Sequence, residues 1–170
     1  KTLRQVDLLR PAPQLAKHQL FAAIYLNELL LRLFQPGESV GSLFSAYRVA
    51  LLQLSIGDDG DQASTEVPLR IFECQLLAAL GFELDFSSDS RTGDKVDENL
   101  HYVYSNGGFS LCNSTLQIGK KDRFEGCDLL AMSQGEFDDE RVRRSAKKIM
   151  RMALQPLLGG RPLNSRALYR

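Results

Sequence analysis

Arg141, Arg144, Lys148 and Arg151 recur at spacings of 3, 4 and 3. Residues so spaced share one face of a helix, and at 1.5 Å per residue the row is about 15 Å long. Arg143 and Lys147 lie beside it, and Arg161, Arg166 and Arg170 continue the charge. Such a row suits a phosphate backbone, whose contacts position a protein without reading sequence and weaken as salt rises. Tyr169 is the one aromatic nearby, so the row fits electrostatic tracking better than base stacking. A merely solvated helix face accounts for the same residues equally well. The net charge of +0 conceals the asymmetry: from Arg141 onward there are nine basic residues and no acidic one, leaving twelve basic against twenty-one acidic in residues 1–140. Asymmetry of that kind points to an acidic or nucleic-acid partner for one face.

Arg70 is the second group with binding chemistry. It sits between Leu69 and Phe72 in the first turns of an apolar helical pattern. A guanidinium at the rim of an apolar groove can take a carboxylate from a peptide partner. On the residues alone, an internal salt bridge to Glu66 at i−4 or Glu73 at i+3 is the favoured reading.

Other chemistry is not signalled. His18 and His101 have no neighbours at metal-ligand spacing, and Cys74, Cys112 and Cys127 form no Cys-x-x-Cys. These are read as surface histidines and free thiols of a reducing cytoplasm, with Cys74 in the core. No Walker loop, dinucleotide fingerprint or nucleophile elbow occurs. The carboxylates between Asp85 and Glu98 lie in a Ser-, Asp- and Gly-rich loop, unsuited to the fixed geometry of acid–base catalysis. The expectation is a protein that is not an enzyme, with no metal and no cofactor.

The elements that must hold these residues follow from periodicity. The chain of 170 residues, 44% hydrophobic and 25% charged, is that of one soluble domain able to bury roughly 70% of its unfolded surface without staples. Its longest apolar stretch, Leu20 to Leu31, is interrupted by Asn27 and Glu28 and is too short to span a bilayer. Lys1 is no initiator Met, no signal peptide follows it, and the chain reads as a piece whose beginning lies elsewhere. Residues 1–13 read as a short strand and a linker broken by Pro11 and Pro13. Helices are expected over Leu15–Phe34, Val40–Ile56, Thr65–Leu80, Cys127–Met132 and Asp138–Leu158. Thr65 is taken as the N-cap of the third, with Pro68 in its first turn. Asn106-Gly107-Gly108, between His101–Tyr104 and Phe109–Cys112, signals a hairpin, and a further strand is expected at Thr115–Ile118. The predicted fold is mainly α: a helical bundle from 14–81 and 120–170, with a small β insert at 82–119.

Three segments carry a family resemblance. They are Tyr25-Leu26-Asn27-Glu28-Leu29-Leu30, then Leu69-Arg70-Ile71-Phe72-Glu73 with Leu77 to Gly81, and then Arg151 to Arg166, which includes Gly159-Gly160-Arg161-Pro162-Leu163-Asn164-Ser165-Arg166. In order and spacing they resemble the RecO family of bacterial DNA-repair and recombination-mediator proteins across essentially the whole chain. The last segment is the most specific.

The resemblance implies a mainly helical C-terminal region with a β or zinc-finger-like insert, and Lys1–Leu9 as the exit from an N-terminal OB-fold barrel that is missing here. It implies binding to single- and double-stranded DNA, annealing of complementary strands, and capture of the acidic C-terminal tail of the single-stranded-DNA-binding protein. With RecR, such proteins load RecA onto coated strands; the RecR contact belongs mainly to the missing barrel. By position Arg70 matches the arginine that receives the tail's terminal carboxylate, with Leu69 and Phe72 as apolar neighbours for its final Phe, against the internal pairing favoured by the residues alone. Arg141, Arg144, Lys148, Arg151, Arg161 and Arg166 are the DNA-binding candidates of a cytoplasmic, nucleoid-associated protein. The alternative is a structural helical domain that docks a peptide without binding DNA. Some relatives carry a four-cysteine zinc site near the insert; here Ser87-Ser88-Asp89-Ser90 offers no thiolate, and no zinc is expected.

Overall fold

The structure, a computed structural model, describes residues 14–35, 37, 41–58, 61–112 and 123–169. Three helices come first: α1 (Lys17–Leu33), α2 (Gly41–Ile56) and α3 (Gln62–Ala79). A small antiparallel sheet follows, built from β1 (His101–Ser105), β2 (Gly108–Leu111) and β3 (Arg123–Glu125) in the order β2-β1-β3. Helices α4 (Gly126–Ser133) and α5 (Glu140–Leu157) and a 3-10 turn (Asn164–Tyr169) complete the chain. The fold is mainly α with a small β insert, as the periodicity predicts. No helix among the described residues is long and apolar enough to cross a membrane.

The helices bury most of the apolar stripes their spacing predicts, but Leu20 and Ile24 of α1 and Phe44 of α2, expected on those faces, are exposed. Leu26 and Leu29 of α1, Leu43 and Leu54 of α2, Phe72, Leu76 and Leu77 of α3, and Ile149, Met150 and Leu154 of α5 are all essentially fully buried. The insert joins the same core through Phe86, Val96, Tyr102, Phe109 and Phe124. At the start of α1, the Gln19 side chain accepts the Ala16 N–H at 2.9 Å and donates to the Gly57 carbonyl at 2.8 Å, fastening the start of α1 to the end of α2.

Helix α3 begins earlier than the sequence suggests. Asp61, not Thr65, is its N-cap, accepting the N–H groups of Ala63 and Ser64 at 3.0 and 3.1 Å. Two N–H bonds to a carboxylate satisfy more of the open helix end than one hydroxyl can. Thr65 is instead buried inside the helix, and Pro68 lies in its second turn, not its first. The missing Pro68 N–H leaves the Ser64 carbonyl without its usual donor.

The hairpin is as predicted. Asn106 and Gly107 adopt φ of 50° and 84°, the pair of positive values that a tight two-residue turn needs, and Ser105 faces Gly108 in register. The strand expected at Thr115–Ile118 lies outside the described residues; β3 pairs with the other side of β1, Tyr102 opposite Phe124. The loop before the sheet is organised by Asp89, which is buried and accepts backbone N–H groups from Arg91, Thr92 and Leu111 at 2.8, 3.3 and 2.7 Å. Burial works against its charge, but these three bonds outweigh burial and hold the carboxyl below its ordinary range. A depressed folded value means the stabilisation is complete above the unfolded value of about 3.9 and is lost as pH falls through the folded one. The insert is therefore expected to loosen in acid, below about pH 4. Asp89→Asn should flatten that dependence, measured as amide exchange at Leu111 against pH.

Candidate nucleic-acid and peptide interfaces

Helix α5 carries most of the cationic chemistry. Asp139 caps it, accepting the Arg141 N–H at 2.7 Å, and Val142, Ala146, Ile149, Met150, Ala153 and Leu154 fix its inner face. The cations divide into two groups by what they touch. Arg143 is buried, its Nη1 donating to the carbonyls of Phe137 (3.0 Å) and Asp138, with Nε 3.7 Å from Glu66. Lys147 Nζ lies 2.8 Å from Glu66 Oε1. Burial opposes the charge of Glu66, but hydrogen bonds from Lys147 and Gln62 and the charges of Lys147 and Arg70 together hold its carboxyl below the usual range. Glu66 thus ties α3 to α5. The second group faces solvent. Arg144 pairs with Glu140 at 2.6 Å, both side chains about three-quarters exposed (76% and 74%). Lys148 Nζ stands 4.9 Å over the ring of Phe124. Arg151 is exposed and forms no ion pair with a described residue.

Arg141 belongs to both groups. Its Nη1 is 2.5 Å from Glu125 Oε2 and its Nε 3.0 Å from the buried Asp128. Arg161 is exposed, and its carbonyl accepts from Arg32 at 3.0 Å. Glu28 receives the N–H groups of Asn164 and Ser165 at 2.8 Å each, which docks the final turn on α1. The Arg166 side chain and Arg170 lie outside the described residues.

Leu69, Arg70 and Phe72 all point inward. Arg70 is 5% exposed, its Nη1 2.9 Å from Glu73 Oε2, and Glu73 in turn accepts a hydrogen bond from Tyr25. The structure therefore contains the internal pairing that local spacing favours. Separately, α2 and α3 enclose a groove of about 600 Å³ lined by Ala46, Val49, Gln53, Ile71, Gln75 and Ala78 among others, with the buried Phe72 contributing to its wall. Among the described residues, no charged side chain lines it. Arg70 shares the opposite side of α3 with Glu66 and Glu73, four and three residues away. The sequence reading missed this groove, although one signal was present: α2 carries Phe44, Val49, Leu52 and Ile56 beyond its buried stripe, and all four are exposed.

The histidines and cysteines form no zinc set. His18 and His101 are both exposed, and the three cysteines are free thiols. Burial, with Glu73 beside it, pushes the Cys74 thiol up to about 12. Glu125, Cys127 and Asp128 bring ligand atoms within 4.8 Å of one another, but the Arg141 guanidinium already supplies positive charge to both carboxylates. At the insert, the Ser87 and Ser88 hydroxyls donate to Asp85 and the Asp89 carboxylate accepts backbone N–H groups. These residues do not fit a four-cysteine zinc site.

Residues 17–167 match the family model described as Recombination protein O C terminal. Among curated relatives, a DNA repair protein RecO from Psychromonas ingrahamii is 34% identical over 99% of this chain and 70% of its own length. One from Actinobacillus succinogenes is 39% identical over 99% and 68%, and one from Yersinia pestis 38% over 100% and 68%. With the family model matched along nearly the whole helical body and these relatives at such identity, the chain belongs to the RecO family of DNA-repair and recombination proteins, as its C-terminal region.

Proposed function

We propose that the chain is the helical part of a non-catalytic recombination mediator of the bacterial cytoplasm and nucleoid. It contacts single- and double-stranded DNA through α5 and docks the acidic C-terminal tail of single-stranded-DNA-binding protein, so promoting strand annealing and, with RecR, RecA loading. The carrying observation is the row of exposed Arg144 and Arg151 with half-buried Lys148 between them, on a helix whose other face is locked in the core. A rigid row of cations can bind a phosphate backbone with little ordering cost. Arg141 and Arg161 extend the row, and Arg166 continues it in sequence. The internal pairing of Arg141, Arg143 and Lys147 favours the second reading, a helical domain that docks a peptide without DNA.

Salt dependence separates the two. About four backbone contacts to a single strand predict a log–log slope of roughly −3 for binding against salt. Anisotropy of a labelled oligonucleotide, titrated from low to moderate salt, measures it. A slope near zero would remove α5 from DNA binding and leave the peptide-docking domain.

For the tail, the uncharged α2–α3 groove supports docking of a terminal Phe side chain, with Phe72 and its neighbours behind it. Engagement of a carboxylate by Arg70, on the opposite side of α3, is a separate mode that requires that guanidinium to leave Glu73, and Leu69 to move with it. Introducing a charge at the groove mouth, Val49→Glu, is expected to weaken an acidic Phe-ending peptide at least 10-fold by anisotropy. Unchanged binding would put the tail site elsewhere.

A further inference from the structure

We propose that Glu140 and Glu125 occupy the phosphate-binding positions of α5, acting as built-in competitors that limit its affinity for nucleic acid. The inference rests on α5 being the DNA-contacting face and concerns the regulation of that face. Two kinds of carboxylate meet its cations. Glu66, only 14% exposed and shared by Arg143 and Lys147, is part of the α3–α5 junction. Glu140 and Glu125 are different. The Arg144–Glu140 pair is open to solvent on both sides, and in the Arg141–Glu125 pair the side chains are 52% and 46% exposed. An exposed pair is only weakly held, so a phosphate oxygen can replace the carboxylate oxygen on the same guanidinium with little penalty.

The geometry places each competitor on the guanidinium it blocks. Glu140 Oε1 lies 2.6 Å from Arg144 Nη2, and Glu125 Oε2 lies 2.5 Å from Arg141 Nη1. These are the distances of charge-assisted bonds, the kind a guanidinium also makes to phosphate. Arg141 keeps its second bond, to buried Asp128, when Glu125 leaves, so its guanidinium stays in place for the incoming oxygen. Arg151 forms no ion pair with a described residue, and Lys148 is steadied over Phe124. Nucleic acid thus first meets Arg151, and full engagement requires exchange at Arg144 and Arg141.

The test is oligonucleotide anisotropy at fixed moderate salt with Glu140→Gln, Arg144→Gln and the double variant. Glu136→Gln serves as control, because Glu136 is exposed and in no ion pair with a described residue. Removing an exposed competitor worth up to about 1 kcal/mol should tighten binding roughly 2- to 5-fold. Glu136→Gln should do less, and in the Arg144→Gln background the gain from Glu140→Gln should largely vanish. A gain equal in both backgrounds, or matched by Glu136→Gln, is a general charge effect and overturns the proposal while leaving α5 as the DNA face. Should Arg144→Gln itself leave affinity unchanged, the DNA face is wrong and this inference goes with it.

Discussion

Replacing Arg70 by alanine should lower the stability of the fold by about 3–5 kcal/mol, the usual result of removing one partner from a buried ion pair. The cause is Glu73, which is 1% exposed and cannot be rehydrated once its guanidinium is gone. Tyr25 would then donate to a buried carboxylate whose guanidinium partner is gone. For a chain of this size the melting temperature should fall by roughly 6–20 °C, read from urea and thermal unfolding. The concerted change Arg70→Met, Glu73→Leu and Tyr25→Phe should recover most of the loss, because apolar replacement of a whole buried pair is often neutral. A single-variant loss below about 1 kcal/mol would mean that Glu73 reaches water, contrary to its burial. This has a practical bearing on function. Weak peptide binding by Arg70→Ala reports on the tail contact only at temperatures where the variant is folded.

Gly126→Ala is the second change with a large expected effect, for a steric reason. A Cβ at Gly126 would sit 1.9 Å from the Asp97 carbonyl oxygen, 2.9 Å from its carbon and 3.1 Å from the Leu100 carbonyl oxygen. All three are backbone atoms, so no side chain can rotate aside. The same junction carries Gly126 N–H to Leu100 and Cys127 N–H to Glu98, at 2.8 and 3.1 Å, which pin the insert to the start of α4. A loss of about 3 kcal/mol or more follows from forced overpacking. Gly41→Ala, in open space at the start of α2, should show no loss. Equal stability of the two variants would mean that the insert and α4 shift apart freely.

What could be read from the sequence was whatever local spacing decides. The helix stripes and the Asn106-Gly107 turn depend on neighbours within a few residues, and the Arg70–Glu73 pair is a contact at i+3 that residue chemistry alone favoured. The start of α3 was misplaced because Thr65 and Asp61 are both competent caps, and the choice depends on how the chain leaves α2. Of the basic row's ion pairs, only Arg144–Glu140, at i−4 within α5, is local in sequence. Lys147 meets Glu66 across 81 positions of sequence and Arg141 meets Glu125 across 16, and no periodicity in α5 announces either partner. The groove was hidden for a related reason. Exposed apolar residues on α2 become a concave surface only once α3 lies against it.

Helix α3 buries Leu69, Leu76 and Leu77 in a fold where Glu66 is clasped by α5, yet α3 ends at Ala79 and α5 at Leu157. During synthesis the second helix is completed 78 residues (157 − 79) after the first. At about 5–20 residues per second, that is a delay of roughly 4–16 s. Throughout it the part of α3 that α5 packs against in the finished fold stays uncovered at the ribosome exit. The interval is long enough for chaperone capture, which makes the birth of this fold, more than its finished state, its most aggregation-prone moment.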